Sequence, residues 1–488
     1  MPFDEGNKGD PFRGDFPGPP DPAPGDDLAA RVHRQVTELA QRRYEPAVRH
    51  QRLGLPQRRR RPPPPPESAP EPGAPSPGTG RDGTITQFDF LPVTVGFDTL
   101  LASGELLITA QSYDGRPAPP GPPGGGQPEA GPTAKAYLDA LGMAAGEVDC
   151  AELHGRVVRL THPDMSPQEL SDVARELRAR GFTASVTNIT PTAPIGKGIG
   201  GPQPATSPGS RPADPGPGAP AKVAVIDTGI GVRPRTDGWL NDVPRGGNID
   251  PLDSFPLPAG DGYLDIEAGH GTFVAGIIQQ IAPTAEITMY RAIDSDGIGG
   301  EVAVAREMIQ AVNDGAEILN LSLGCQTQDN LPPIAISAAL DVIRELERAQ
   351  DREVLIVAAA GNYADAIPCW PGAFRRVVAV ASLTPGMLPS PWSSRGSWVT
   401  CATIGQGQCS TYVEGRESVL FDPDPHDFGP DAWAVWSGTS FAAPQITGAL
   451  ARLHQQHQYP LREALRRLLA AGRPVPDFGQ AIKILPGI

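Results

Sequence analysis

From residue 221 to the C-terminus the apolar positions fall into two alternating habits. Short, nearly continuous apolar runs occupy 223–226, 287–290, 318–323, 354–359 and 377–381, and between them lie stretches such as 302–312 and 334–346 whose apolar residues recur at helical spacing. A strand that is apolar at consecutive positions has no face for water, so such runs, separated by helices, predict a parallel sheet covered on both sides. The fold class expected for 221–488 is therefore α/β: three layers, αβα, around a mainly parallel central sheet.

Upstream the pattern is different. Residues 84–91, 106–110, 157–160 and 182–189 are rich in β-branched, aliphatic and aromatic side chains and read as strands. Ser166-Pro167-Gln168-Glu169 combines a capping box with proline at the first helical position. Leu170, Val173 and Leu177 then mark one apolar helix face, and Gly181 is placed to end it. These elements predict a small α+β domain over 83–190, interrupted by a Pro/Gly-rich loop at 117–132. Residues 191–220 return to Pro, Gly and Ser and read as a linker. Within 1–82, Asp26-Asp27 precedes Leu28, Val32, Val36 and Leu39, an i, i+4 stripe that predicts a short helix, either docked on another surface or formed transiently.

Composition changes this picture in three ways. The chain holds 57 Gly and 58 Pro, concentrated before residue 221, so the remainder of 1–82 is expected to be a disordered tail. Its Arg58–Arg61 and Pro62–Pro66 runs suit a phosphate-rich partner, a proline-binding module or a solvated linker. A net charge of −15 makes nucleic acid an unlikely partner for the whole molecule. The segment Met1-Pro2-Phe3-Asp4-Glu5 has neither a basic nor an apolar signal region, and no run is long enough to span a bilayer, so a cytoplasmic location without membrane contact is expected. The five cysteines then read as reduced thiols, with Cys401/Cys409 or Cys325/Cys369 as candidate pairs, and no C-x-x-C spacing points to zinc.

Candidate chemistry lies in the α/β region. Trp436-Ser437-Gly438-Thr439-Ser440 runs into an apolar stretch through Leu450, which sets Ser440 at a helix N-terminus where unpaired N–H groups favour negative charge. Read alone, Ser440 fits a helix cap equally well. Asp227 follows the strand at 223–226 directly, and His270 stands among small residues in Gly269-His270-Gly271-Thr272 at a helix start. Open parallel sheets bind ligands beyond the carboxyl ends of their strands, where both residues belong.

Ile226-Asp227-Thr228-Gly229, His270-Gly271-Thr272-Phe273-Val274-Ala275-Gly276 and Gly438-Thr439-Ser440-Phe441-Ala442-Ala443-Pro444 resemble the three signature motifs of the subtilisin-like (subtilase) serine peptidases, in that family's order. The resemblance covers essentially 221–488. It implies a serine endopeptidase with Ser440 as nucleophile, His270 as general base and Asp227 orienting the imidazole. It also implies that Asn362, in Ala358-Ala359-Ala360-Gly361-Asn362, and the Ser440 N–H receive the oxyanion. Gly297, Ile298 and Gly299, and Ser322, Leu323 and Gly324, match the two backbone edges that hold a peptide substrate as an extended strand. No cofactor enters this chemistry. Structural calcium occurs in secreted relatives, and no calcium ligand set is identifiable here. Phe441 and Phe273 depart from the family pattern, which bears on packing and substrate preference. Cys325 and Cys369 follow the expected S1 walls and either narrow that pocket or make it thiol-sensitive. Many relatives carry a small α+β prodomain where 83–190 stands, so this unit is expected to restrain the peptidase domain in cis or to serve as an adaptor. The alternative for the whole chain is a catalytically silent scaffold acting through its N-terminal region.

Overall fold

A computed structural model describes residues 28–41, 88–92, 98–115, 133–190, 201–209, 212–214, 216–254, 260–419 and 424–488. Helix α1 (Leu28–Gln41) stands first. It is followed by β1 (Phe88–Pro92), β2 (Asp98–Thr109), the single turn α2 (Ala110–Tyr113), α3 (Ala134–Ala140), β3 (Ala144–Glu147), β4 (Val157–Thr161), α4 (Pro167–Ala179) and β5 (Ala184–Asn188). These five strands form one antiparallel sheet in the order β1-β2-β4-β3, with β5 also pairing β2. The capping box forms as the sequence predicts. Ser166 Oγ accepts from Glu169 N at 3.3 Å, and Glu169 Oε2 accepts from Ser166 N at 2.8 Å. Leu170, Val173, Ala174 and Leu177 of α4 pack on Leu106, Ile108, Leu160 and Val186 of the sheet, a core separate from the main one.

The second part contains β6 (Gln203–Ala205), β7 (Lys222–Asp227), α5 (His270–Ile281), β8 (Glu286–Arg291), α6 (Glu301–Asn313), β9 (Ile318–Leu321), α7 (Ile334–Gln350) and β10 (Leu355–Ala359). It continues with β11 (Val377–Leu383), β12 (Cys401–Ile404), β13 (Gln408–Thr411), β14 (Gly415–Arg416), β15 (Asp427–Phe428), β16 (Trp433–Trp436), α8 (Thr439–His457), α9 (Leu461–Ala470), β17 (Arg473–Val475) and β18 (Gly479–Ala481). The central sheet has the order β17-β18-β12-β11-β10-β9-β7-β8, and all its pairings are parallel except β17 with β18. Alternation along its strands decides the layers. Val223, Val225, Leu355 and Val357 face α5 and α8, whereas Ala224, Ile226, Ile356 and Ala358 face α6 and α7. Both faces are thus buried, which accounts for the continuous apolar runs. The strand order reverses at β7, between β8 and β9, so the carboxyl end of β7 lies at the switch point where such sheets bind ligands.

Helices α6 and α7 are covered twice. Their inner faces pack on the central sheet, and their outer residues Ala305, Ile309, Ala335, Ala339 and Val342 pack on Leu107, Val148, Leu153 and Val157 of the small unit.

Three sequence expectations require correction or limitation. Residues 191–220 are not linker throughout, because β6 pairs antiparallel with β16, Gln203 opposite Val435 and Ala205 opposite Trp433. Its pairing partner lies 230 positions away, and no local pattern announces it. The five cysteines are buried free thiols, so neither Cys401/Cys409 nor Cys325/Cys369 is a disulfide. The loop at 117–132 and the Arg58–Arg61 and Pro62–Pro66 runs lie outside the described residues.

Candidate active site

Asp227 ends β7 and is fully buried. Its Oδ1 accepts from Thr228 N at 2.8 Å, which fixes the carboxylate, and lies 2.7 Å from His270 Nδ1. His270 opens α5. Two glycines permit that helix to start here: a Cβ on Gly271 would lie 2.2 Å from Gly229 O, and Gly269 adopts φ +80° where a Cβ would meet Val413. Asp250 ties the two segments together. Its Oδ2 accepts from Thr228 Oγ1 at 2.8 Å and from Gly269 N at 2.9 Å, and Thr228 Oγ1 in turn accepts from Gly271 N at 3.1 Å. Burial pushes the Asp250 carboxyl up, against those hydrogen bonds.

For His270, burial is the largest single influence and disfavours the charged ring. The Asp227 charge and hydrogen bond, with the charges of Glu267 and Asp250 behind them, outweigh it, and the net shift is upward. With Nδ1–H donating to Asp227, Nε2 carries the lone pair, and this atom is buried without a hydrogen-bond partner among the described residues. Around the ring stand Trp436, edge-on with centroids 5.6 Å apart, and Phe441 at 5.4 Å. Phe441 also packs on Phe273 at 4.6 Å, so the two departures from the family pattern touch one another.

Ser440 is the second residue of α8, where backbone N–H groups have no partner within the helix. Its Oγ donates to Ser322 O at 3.1 Å, and its carbonyl accepts from Ser322 Oγ at 2.8 Å. Asn320 Nδ2 donates to Ser322 Oγ at 3.0 Å and Thr447 Oγ1 donates to Asn320 Oδ1 at 2.9 Å, a buried chain that holds the first turn of α8. Asn362 follows β10, and its Oδ1 accepts from both Thr439 N and Thr439 Oγ1 at 2.9 Å. The acceptor half of the amide is thus engaged by Thr439.

The predicted substrate edges meet different surroundings. Gly299 O accepts from Thr190 N at 2.7 Å and Thr190 Oγ1 at 3.1 Å, and Ile189 bridges Gly300 in antiparallel fashion. Gly297 and Ile298 precede this contact, and Ile298 packs with Ile189 and Ala102. The edge at 297–299 is therefore engaged by the chain itself. On the other edge, Leu323 is buried in the core, and a Cβ on Gly324 would lie 2.8 Å from Cys369 Sγ; the same sulfur stands 2.8 Å from a Cβ built on Gly361. That thiol is buried between the two segments expected to wall S1, and burial pushes its pKa far up, which disfavours the thiolate.

The sequence places the Thr228-Gly229 turn where it fixes the Asp227 carboxylate, and misses Asp250 as the partner of the Thr228 hydroxyl, the Ser322 hydroxyl and Thr439. Thr439 adjoins Ser440, and that adjacency is the one signal available for it. Asp250 and the hydroxyl of Ser322 carry none, because their bonds are to partners at distant positions.

The sequence pattern of the Subtilase family matches residues 218–472. Among curated proteins, the chain is 29% identical over 259 residues to the thermophilic serine proteinase of Bacillus sp. strain AK1, covering 50% of this chain and 55% of that one. It is 29% identical over 249 residues to thermitase of Thermoactinomyces vulgaris, covering 49% of this chain and 76% of thermitase. The structure is similar to that of fervidolysin from Fervidobacterium pennivorans, with a TM-score of 0.51 at 19% identity over 79% of this chain and 60% of fervidolysin, a likeness of fold.

Proposed function

This chain belongs to the subtilase family, and we propose that it is a serine endopeptidase in which Ser440 attacks the scissile carbonyl, His270 transfers protons and Asp227 orients the imidazole. The observation that carries the reading is the buried pair of Asp227 Oδ1 and His270 Nδ1 at 2.7 Å, with Nε2 left as an unpartnered base among the described residues. On this reading the Ser440 hydroxyl turns from Ser322 O to His270 Nε2, and its oxygen adds to the carbonyl carbon as the proton passes to the ring. Asn362 Nδ2 and the Ser440 N–H then donate to the oxyanion. His270 returns the proton to the leaving amine, and water repeats the sequence on the acyl-enzyme. The groups used belong to the protein, and no metal or organic cofactor has a role in the proposed steps.

The contact of Thr190 with Gly299 and the packing of Leu107, Leu153 and Val157 on α6 and α7 favour a second element of this reading. The unit 83–190 restrains the peptidase in cis, Ile189 and Thr190, just beyond its last strand, lying on the edge a substrate needs. Fluorophosphonate labelling of the full chain followed by peptide mass spectrometry tests the first part. Label is expected on Ser440 and is expected to vanish in Ser440→Ala; an unlabelled wild-type Ser440 would overturn the catalytic assignment and favour a silent scaffold.

A further inference from the structure

The outer face of the small sheet β13-β16-β6 is closed by a segment some 400 positions away in the chain. Along β16, Ala434 and Trp436 point inward to the main core, whereas Trp433 and Val435 point outward. Onto that outward face, with Trp239, Cys409 and Ile488, α1 lays Leu28 and Val32. At i+7 from Leu28 the apolar stripe is broken by Gln35, which is fully buried. An apolar side chain would cover the strand equally well, so the amide calls for a polar explanation.

The amide is fully used. Gln35 Nε2 donates to Gly201 O at 2.7 Å and to Val435 O at 3.3 Å, and Gln35 Oε1 accepts from Ser437 Oγ. Ser437 Oγ itself accepts from Gly407 N at 2.9 Å. One side chain therefore grips β16 at 435 and the residue just beyond its end at 437, on either side of Trp436, whose ring meets His270 and Phe441 on the opposite face. Three residues beyond Ser437 stands Ser440, with Gly438 N bonded to Gly405 O at 2.9 Å between them.

We propose that α1 is an intramolecular clasp and that Gln35 is a positioning residue for the nucleophile, acting through Ser437 on the Trp436–Ser440 turn. The inference rests on the reading of Ser440 as nucleophile. Misplacement of a reacting group by about 1 Å costs on the order of 10²-fold in rate, so a turn that relaxes by a fraction of that distance is expected to lose about tenfold.

The test uses the full chain and a fluorophosphonate probe, measuring the limiting inactivation rate separately from the probe's half-saturation concentration, with the thermal midpoint recorded for every variant. Gln35→Met keeps the length and the helix but removes both hydrogen-bonding halves; Ser437→Ala removes the partner from the other side without touching α1. Each is expected to lower the limiting rate about tenfold with half-saturation unchanged, and the double variant to be no slower than the slower single one, because both break the same link. Arg31→Ala, which loses a rim contact to Pro204 O, is expected to keep the wild-type rate. If Gln35→Met and Ser437→Ala label at the wild-type rate while their midpoints fall, or if their effects multiply, Gln35 is only a packing residue and the proposal fails. If Gln35→Met does not fold, an unchanged rate in Ser437→Ala alone overturns it. A wild-type chain that does not label at Ser440 removes the nucleophile reading itself, a result distinct from equal labelling across variants.

Discussion

The oxyanion assignment admits a test in which catalysis and stability move apart. In the proposed mechanism Asn362 has two roles: its Oδ1 accepts two hydrogen bonds at 2.9 Å from Thr439, and its NH2 donates to the oxyanion. Asn362→Ala removes both. The loss of the donor is expected to lower kcat by about 10² to 10³, or about 2.7 to 4 kcal/mol, a range taken from the corresponding asparagine of subtilisin itself. Two buried bonds at about 1 kcal/mol each should lower folding stability by about 2 kcal/mol, because the Thr439 N–H at the start of α8 loses its acceptor. Asn362→Asp separates the two effects. Its carboxylate still accepts from Thr439 N and Oγ1, so stability should fall less than in the alanine variant. No NH2 remains, however, and a negative charge faces the developing oxyanion, so kcat should fall at least as far. Both variants are measured on a chromogenic peptide after active-site titration, alongside thermal unfolding. A kcat within about tenfold of wild type in either variant would locate the oxyanion donor elsewhere, and an aspartate variant less stable than alanine would refute the role given to Oδ1.

Three further outcomes follow from the same structure. Because the His270 pKa lies above its ordinary 6.5 and the ring must be neutral to act as base, the acid limb of kcat/KM against pH is expected above 6.5; the stability this charge contributes is full below 6.5 and is lost as pH rises through the raised value, and a limb below 6.5 contradicts the geometry. Glu301 takes Asn188 N at 2.7 Å and Ala335 N at 2.8 Å, and burial, with the nearby Glu105 charge adding, raises its pKa to about 7 against those bonds; the docked state holds this proton more tightly, so attachment of the small unit should weaken as pH rises from 4.5 to 7, read as a rise in the ratio of peptide hydrolysis by the full chain to that by Glu301→Gln, in which the His270 titration cancels, and a pH-independent ratio would count against it. The segments at 322–324 and 358–361, expected to wall S1, and the Cys369 thiol beside them carry no charge, so cleavage after neutral P1 residues is expected, and a peptide library cut mainly after Arg or Lys would refute this.

Legibility in the sequence followed the range of the interactions. Asp227, His270 and Ser440 were readable because each sits in a short motif whose glycines answer to local backbone geometry, as Gly271 does against Gly229 O. The layers were readable because burial on both faces leaves continuous apolar runs. The strand β6 was not, since Gln203-Pro204-Ala205 has no β signature and owes its conformation to β16. Gln35 was not readable either: a glutamine in a helix with Arg31, His33 and Arg34 looks like solvent-facing surface until Gly201, Val435 and Ser437, all distant in the chain, offer it three partners.

The clasp also bears on what a single backbone break would do. Gly201, gripped by Gln35, lies directly after residues 191–200, while the gripping helix and the small α+β unit with β1 to β5 lie before them. A nick within 191–200 would leave every described non-covalent contact in place yet turn one folding unit into a complex of two polypeptides. Folding of the intact chain is unimolecular and indifferent to dilution; the nicked species obeys mass action, gaining stability only as RT ln(1 + [L]/Kd) with the concentration of its partner fragment. Two docking surfaces on the same fragment would slow its departure, since each site rebinds while the other holds. Dilution would then act as a clock on the nicked species, its rate set by how long both contacts stay closed together.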